Sequence, residues 1–425
     1  MKPETIALHA GYEGDPVTRA ATTPIYQTTS FTFDNTQHGA DLFDLKVPGN
    51  IYSRIMNPTN AVLEQRLAEL EGGVAALALA SGMAAIRYAI ETIADAGSNI
   101  VSTSQLYGGT YNLFAHTFPR QGIEVRFADA NDFDKVASLV DENTKALFCE
   151  SIGNPAGNVV DIRRWADIAH ARGVPLIVDN TVATPLLCRV FDHGADIAVH
   201  SLTKYIGGHG TTIGGAIVDS GKFDWAANAE RFPILNTPDP SYHGVVYTEA
   251  LGPAAFIGRC RVVPLRNTGA ALSAQSAFQI MQGLETLALR MERHCENTEK
   301  VAQFLSEHPL VKWVSYAALK DSPYYENCQN ICGGKGSGIL SFGVEGGVDA
   351  GGRFIDALKL ILRLVNIGDA KSLACHPAST THRQLSADEL ASAGVSPEMV
   401  RLSIGIEHID DIIADIDQAL AASQG

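Results

Sequence analysis

The chain reads as an α/β protein, with a large domain on a mostly parallel sheet followed by a smaller C-terminal α/β domain. Three observations lead there. Its 425 residues, 46% of them hydrophobic, suffice for a large core and for more than one domain. The runs VAALALA, NIVST, EVRFA, KALFC, PLIVD and DIAVH are short, apolar and strand-like, and helical stretches such as GMAAIRYAIETIA and RRWADIAHARG separate several of them. Past about residue 220 this rhythm gives way to a loop-rich stretch, FPILNTPDPSYHGVVYTEALGPAAF, and then to long helical patterns, which marks a boundary.

Residues 1–56 form an N-terminal extended arm, rich in Thr, Pro, Gly and aromatic residues and without helical periodicity. The large domain spans 57–267. It opens with a helix from Thr59, preceded by Pro58, with apolar residues at Val62, Leu63, Leu67 and Leu70 and a stop at Gly72 and Gly73. The C-terminal domain, 268–425, begins with helical patterns from Thr268 to about Glu307. It continues with the strands GILSFGV and MVRLSIGI and the amphipathic stretch DALKLILRL, and closes on the helix HIDDIIADIDQALAA. There is no internal repeat and no low-complexity tract.

The formal net charge is −15, with acidic residues dispersed, which argues against nucleic acid or an anionic membrane as partner. The N-terminus has no signal-like succession and no apolar run approaches a spanning helix, so a cytoplasmic location is expected. Seven scattered cysteines provide no disulfide framework and fit a reducing compartment. Cys328 and Cys332 are a close pair without a second Cys or His pair at metal spacing, which predicts a loop thiol pair and no metal.

The chemistry concentrates at strand ends. Lys204, in SLTKY, follows the apolar strand DIAVH; burial there would hold a lysine near a carbonyl and help it lose its proton, as a Schiff-base lysine must. Ser201 and Thr203 flank it with hydroxyls suited to a phosphate. Asp179 lies 25 residues earlier, at the end of PLIVDN, where a carboxylate either caps the next helix or holds a protonated pyridine nitrogen. In ASGMAAIRYAI, Ser81 and Gly82 join a strand to a helix, whose free N–H groups at Gly82 and Met83 would suit a phosphate; an ordinary cap by Ser81 is the structural alternative. Tyr107 follows strand NIVST before two glycines, placed to stack on a ring or to sit in the core. Arg401, among the apolar residues of MVRLSIGI, calls for an anionic partner such as a substrate carboxylate, unless it simply faces solvent. A dinucleotide-binding oxidoreductase is a rival from another class, but its G-x-G-x-x-G fingerprint is missing: ASGMAA has one glycine and GGHGTTIGG lacks the spacing, and GGKGSG is not a P-loop.

Taken in order, ASGMAA, Tyr107, DNT, SLTKY and RLSIG resemble the Cys/Met-metabolism family of pyridoxal 5'-phosphate enzymes, the fold-type I transsulfuration proteins, over nearly the whole chain. Within it, TIALHAGY, YSRIMNPTN, ESIGNPAGNVVDI, PDPSYHGVVYTEALGPAAFIGRCR and NIGDAKSLACHPASTTH look like the O-acetylhomoserine sulfhydrylases. The resemblance implies that Lys204 carries the cofactor covalently, Asp179 pairs with its ring nitrogen, Tyr107 stacks on the ring and Asn154 bonds the ring hydroxyl side. Gly82, Met83, Ser201 and Thr203 match phosphate contacts, and Tyr52 and Arg54 would reach the phosphate of a neighbouring subunit within a homotetramer. Asn366 stands where cystathionine synthases and lyases, the nearest alternative, usually have serine, and it is expected near the substrate carboxylate beside Arg401. The implied reaction is γ-replacement on O-acetylhomoserine by sulfide or methanethiol, giving homocysteine or methionine. Lys204 would act as base, with Tyr107 as a further acid or base. Which thiol serves, and whether other esters are accepted, the sequence leaves open.

Overall fold

The computed structural model describes residues 1–377, 380 and 394–425. Its first sheet has seven strands, β1 Ala75–Leu79, β2 Asn99–Thr103, β3 Glu124–Ala128, β4 Thr144–Glu150, β5 Leu176–Asp179, β6 Ile197–Ser201 and β7 Gly215–Asp219, in the order β1-β7-β6-β5-β4-β2-β3. All run parallel except β7, which is antiparallel to both β1 and β6. Strand β7 was not legible beforehand, because it follows the glycine-rich run GGHGTTIGG without a helix to announce a crossover. The strands are apolar on both faces because helices cover both: Leu147, Cys149 and Val178 join one core, Ala146, Phe148 and Ile177 the other.

The expected first helix is present as α3, Pro58–Glu71; Asn57 accepts the Thr59 N–H at 2.9 Å, and Gly72 ends the helix at φ +79°. The arm ahead of it departs from the expectation. It contains α1, Pro3–His9, and α2, Thr36–Phe43, each too short to show a period in sequence. Tertiary contacts supply what propensity lacks: Arg66 of α3 donates to the Ala10 carbonyl at 2.9 Å, holding the end of α1.

A second sheet, in the order β10-β11-β12-β9-β8, comprises β8 Val311–Ser315, β9 Ile339–Val344, β10 Leu362–Arg363, β11 Leu373–Cys375 and β12 Met399–Ser403. Helices Gly347–Ala357 and Ile409–Ala422 pack on it through Phe354, Ile412 and Ile416, and Val301 and Leu305 of the long helix Leu287–Glu307 join the same core. The start of that long helix, at Leu287 and Met291, sits instead in the core of the first sheet with Ala277 and Ile280 of helix Ala274–Glu285, so the two cores are bridged by one rigid rod.

Two further expectations need correction. The helical pattern begins at Ala274 and not at Thr268, because Ala271 bridges to Leu79. The amphipathic stretch DALKLILRL divides between two elements: helix ends at Ala357, since the Asp415 carboxylate takes the N–H groups of Lys359, Leu360 and Ile361, each at 2.9 Å, and turns the chain into β10. Cys328 and Cys332 lie not in a loop but on helix Tyr325–Cys332, both buried. Among the described residues, no group of three or more His, Cys, Asp or Glu could hold a metal, and no helix is long and apolar enough to cross a membrane. The end of the phrase NIGDAKSLACHPASTTH falls partly outside the described residues.

Candidate active site

The parallel strands all end at one edge of the first sheet, and a cavity of about 240 Å³ opens there, where ligands of open α/β sheets bind. Asp179 closes β5 and lines this cavity. One carboxylate oxygen accepts the Thr181 N–H at 3.0 Å. Burial pushes its pKa up, against the Thr181 bonds and nearby His200. On the opposite face, Asn180 and His200 both reach Glu71 at 2.8 Å, so a fully buried polar belt pins the ends of β5 and β6 to α3.

The turn after β6 decides where Lys204 points. Leu202 and Tyr205 are wholly buried, and the residues between them, Thr203 and Lys204, are turned to the cavity. Behind the turn, Arg290 of helix Leu287–Glu307 donates to the Tyr205 carbonyl at 2.6 Å and to that of Ile206 at 3.2 Å. In front, Gly368, at φ +69°, lies so close that a Cβ there would stand 2.6 Å from the Tyr205 nitrogen. The Lys204 ammonium donates to the Asn366 side-chain oxygen. Burial, and secondarily the Arg401 charge, lower its pKa to about 8.

That value sets a pH expectation. Only the free amine attacks a carbonyl, so condensation of cofactor-free protein with pyridoxal 5'-phosphate, followed by its visible band, is expected to accelerate with rising pH and level off above about 8. Arg401→Met should move the midpoint upward, because a neighbouring positive charge is removed. A midpoint at the ordinary 10.5 would refute the burial effect.

One end of the cavity suits an anion. Ser81 caps α4, Gly82–Glu91, by accepting the Ala84 N–H at 3.1 Å, and leaves the first N–H groups of the helix without intrahelical partners. Gly82 is needed for contact: a Cβ there would lie 2.7 Å from that of Ser201. Met83, Ser201 and Thr203 line the same end, although the Thr203 hydroxyl is also held by the Gly214 N–H at 3.0 Å.

Arg401 stands behind the other end, bonded to Asn154 and Val365, which line it. It lies within β12, only 2% exposed. Its guanidinium donates to the Asn154 side chain at 3.2 Å and to the carbonyls of Val365 and Asn366 at 3.1 and 2.9 Å, while Nε is buried and has no partner among the described residues. A buried unpaired donor beside a cavity calls for an anion. Asn366 meets both residues: its backbone carbonyl accepts from Arg401, and its side chain accepts from Lys204. Tyr107 opens the short helix α5, Gly108–Asn112, and lies 40% exposed at the cavity, so it is not a core tyrosine.

Tyr52 and Arg54 are not brought to this cavity. The Arg54 guanidinium stands 5.4 Å from the Tyr52 ring centroid and donates to the Arg266 carbonyl, in a separate groove with Tyr26, Ser53 and Asn57. Sequence reasoning overlooked Glu150, which closes β4 as Asp179 closes β5, and the apolar lining residues Ile213, Val365 and Ile367. Glu150 carried the same signal as Asp179, a carboxylate ending an apolar strand.

These residues fit pyridoxal 5'-phosphate. The helix N-terminus and hydroxyls would hold the phosphate, Asp179 the ring nitrogen, Tyr107 a ring face and Lys204 the carbonyl carbon, with the unpaired Nε of Arg401 left for an acidic substrate group.

Comparison with known proteins points the same way. The family model described as "Cys/Met metabolism PLP-dependent enzyme" matches residues 4–421. The chain is 53% identical to a homocysteine synthase of Schizosaccharomyces pombe, over 98% of this chain and 97% of that protein. It is 53% identical to O-acetyl-L-homoserine sulfhydrylase 1 of Thermus thermophilus, over 99% and 100%. Among solved structures, a Campylobacter jejuni protein described as a "putative O-acetylhomoserine (thiol)-lyase" and carrying a pyridoxyl-lysine phosphate superposes with a TM-score of 0.97 at 44% identity, covering 99% of this chain and 100% of that one.

Proposed function

The chain belongs to the Cys/Met-metabolism family of pyridoxal 5'-phosphate enzymes, and from that footing we propose that it performs γ-replacement on O-acetyl-L-homoserine with sulfide, giving homocysteine and acetate. The full-length likeness to sulfhydrylases carries the reaction, and Arg401, whose partners Asn154 and Val365 line the Lys204 cavity, supports an amino-acid substrate through its unpaired Nε.

The bound cofactor supplies an electron sink for the pair left at Cα. Arg401 has three N–H groups engaged by the protein, which leaves Nε–H and one Nη1–H pointing to different sides; the buried Nε–H is the one offered to the substrate carboxylate. Lys204, whose amine is held by Asn366, takes the Cα proton. Its low pKa lets it take that proton and then one from Cβ. The pair freed at Cβ expels acetate as the Cγ–O bond breaks, the sulfur of the thiol bonds Cγ, and Cβ and Cα each regain a proton through Lys204; of the three protons released, counting the thiol's, one leaves with acetate. Asp179, as an anion, would hold a proton on the cofactor's ring nitrogen, and Tyr107 would cover a ring face. Methanethiol, giving methionine, is a second donor in this reading. Tyr52 and Arg54, exposed and outside their own chain's cavity, would complete the site of a neighbouring subunit in a homotetramer working in the cytoplasm.

Holoenzyme incubated with O-acetyl-L-homoserine and sulfide is expected to form homocysteine and acetate in equal amounts. Ready cleavage of cystathionine with no homocysteine formed would replace this reading by that of a γ-lyase.

A further inference from the structure

We propose that Glu150 is a positioning residue, one side chain that ties the ring-covering tyrosine to the arginine that receives the substrate carboxylate; this rests on the γ-replacement reading above. Glu150 ends β4 in register with Asp179 on β5, lines the cavity and is 4% exposed. One oxygen accepts the backbone N–H of Tyr107 at 2.6 Å, and the other that of Asn154 at 3.3 Å.

Each of those residues touches the chemistry. The Tyr107 ring is 40% exposed, so core packing does not hold it and its backbone anchor sets where the ring lies. Asn154 accepts from Arg401 at 3.2 Å, so its backbone anchor sets the angle of the guanidinium. A shift of one end is transmitted to the other through a two-oxygen group that cannot stretch. Misplacement of a contact by about 1 Å costs up to 10²-fold in rate. Burial and the Asp179 charge favour the protonated carboxyl, and the two N–H bonds favour the anion. In either state both oxygens keep a lone pair for the N–H groups, so the tether does not depend on ionisation.

Glu150→Gln keeps the shape but replaces one oxygen by NH2, which can only oppose an N–H. At least one of the Tyr107 and Asn154 amides should then exchange with solvent roughly tenfold faster in the cofactor-free protein. In the holoenzyme the KM for O-acetyl-L-homoserine should rise about tenfold while that for sulfide holds, a split that general loosening would not produce. Glu150→Asp, which keeps both oxygens on a shorter stem, should retain more of the affinity. Unchanged exchange at both amides, an unchanged KM for O-acetyl-L-homoserine, or an equal rise in both KM values would overturn the proposal. If neither variant folds, unprotected Tyr107 and Asn154 amides in the wild-type protein would overturn it. Should the wild-type enzyme not act on O-acetyl-L-homoserine, the reaction assigned above fails, while the exchange measurement still judges the tether.

Discussion

Lys204→Met is expected to lower turnover of O-acetyl-L-homoserine by about 10³-fold or more, because one residue supplies both the covalent hold on the cofactor and the base. Borohydride, which should fix the cofactor to Lys204 in the wild type and bleach its visible band, should leave no label on this variant. The same substitution should stabilise the cofactor-free protein. Lys204 titrates at about 8 when folded against an ordinary 10.5, so between those values the unfolded chain binds more protons and stability rises with pH. Below about 8 the full cost of burying the ammonium is present, and methionine removes it. The melting temperature of the variant should therefore exceed that of the wild type at pH 7, with the gap narrowing as pH climbs from about 8 toward 10.5. Retained turnover, or a variant less stable at pH 7, would contradict the assignment.

Asp179→Asn should cost about 10²- to 10³-fold in kcat/KM. An amide can still accept the Thr181 N–H with its oxygen, so the turn after β5 survives. Its NH2 would face the ring nitrogen as a donor, and the nitrogen would lose its proton. Loss of that charge weakens the electron sink, so exchange of the Cα proton of an amino acid without a leaving group should slow by a similar factor. The cofactor should also dissociate more readily. Wild-type exchange rates in Asp179→Asn would mean that the carboxylate serves only the turn. Glu150, in register beside it, is predicted to behave differently: its substitution falls mainly on substrate affinity, because its oxygens meet backbone amides and not the ring.

Much of this arrangement was legible because strand ends announce themselves. Six of the seven strands in the first sheet are apolar runs, and a charged residue closing or following such a run stands out, as Asp179 and Lys204 do. The contacts left unread join partners distant in sequence. Glu150 reaches Tyr107, 43 residues away; Arg401 reaches Asn154, 247 away. Helices α1 and α2 are too short for periodicity, and the end of helix in DALKLILRL is imposed by Asp415 more than fifty residues later.

By itself the sequence determined the alternation that builds a parallel sheet, the lysine and aspartate at its carboxyl edge, and the family, since each is encoded by spacing within a local window. Tertiary structure decided which side of Asn366 faces Lys204, which N–H groups of Arg401 stay free, and that Glu150 holds both ends of the site. Those choices follow from burial: once two chain segments meet in a water-poor cavity, each polar atom must find a partner or await a ligand, and no local pattern records which atom that will be.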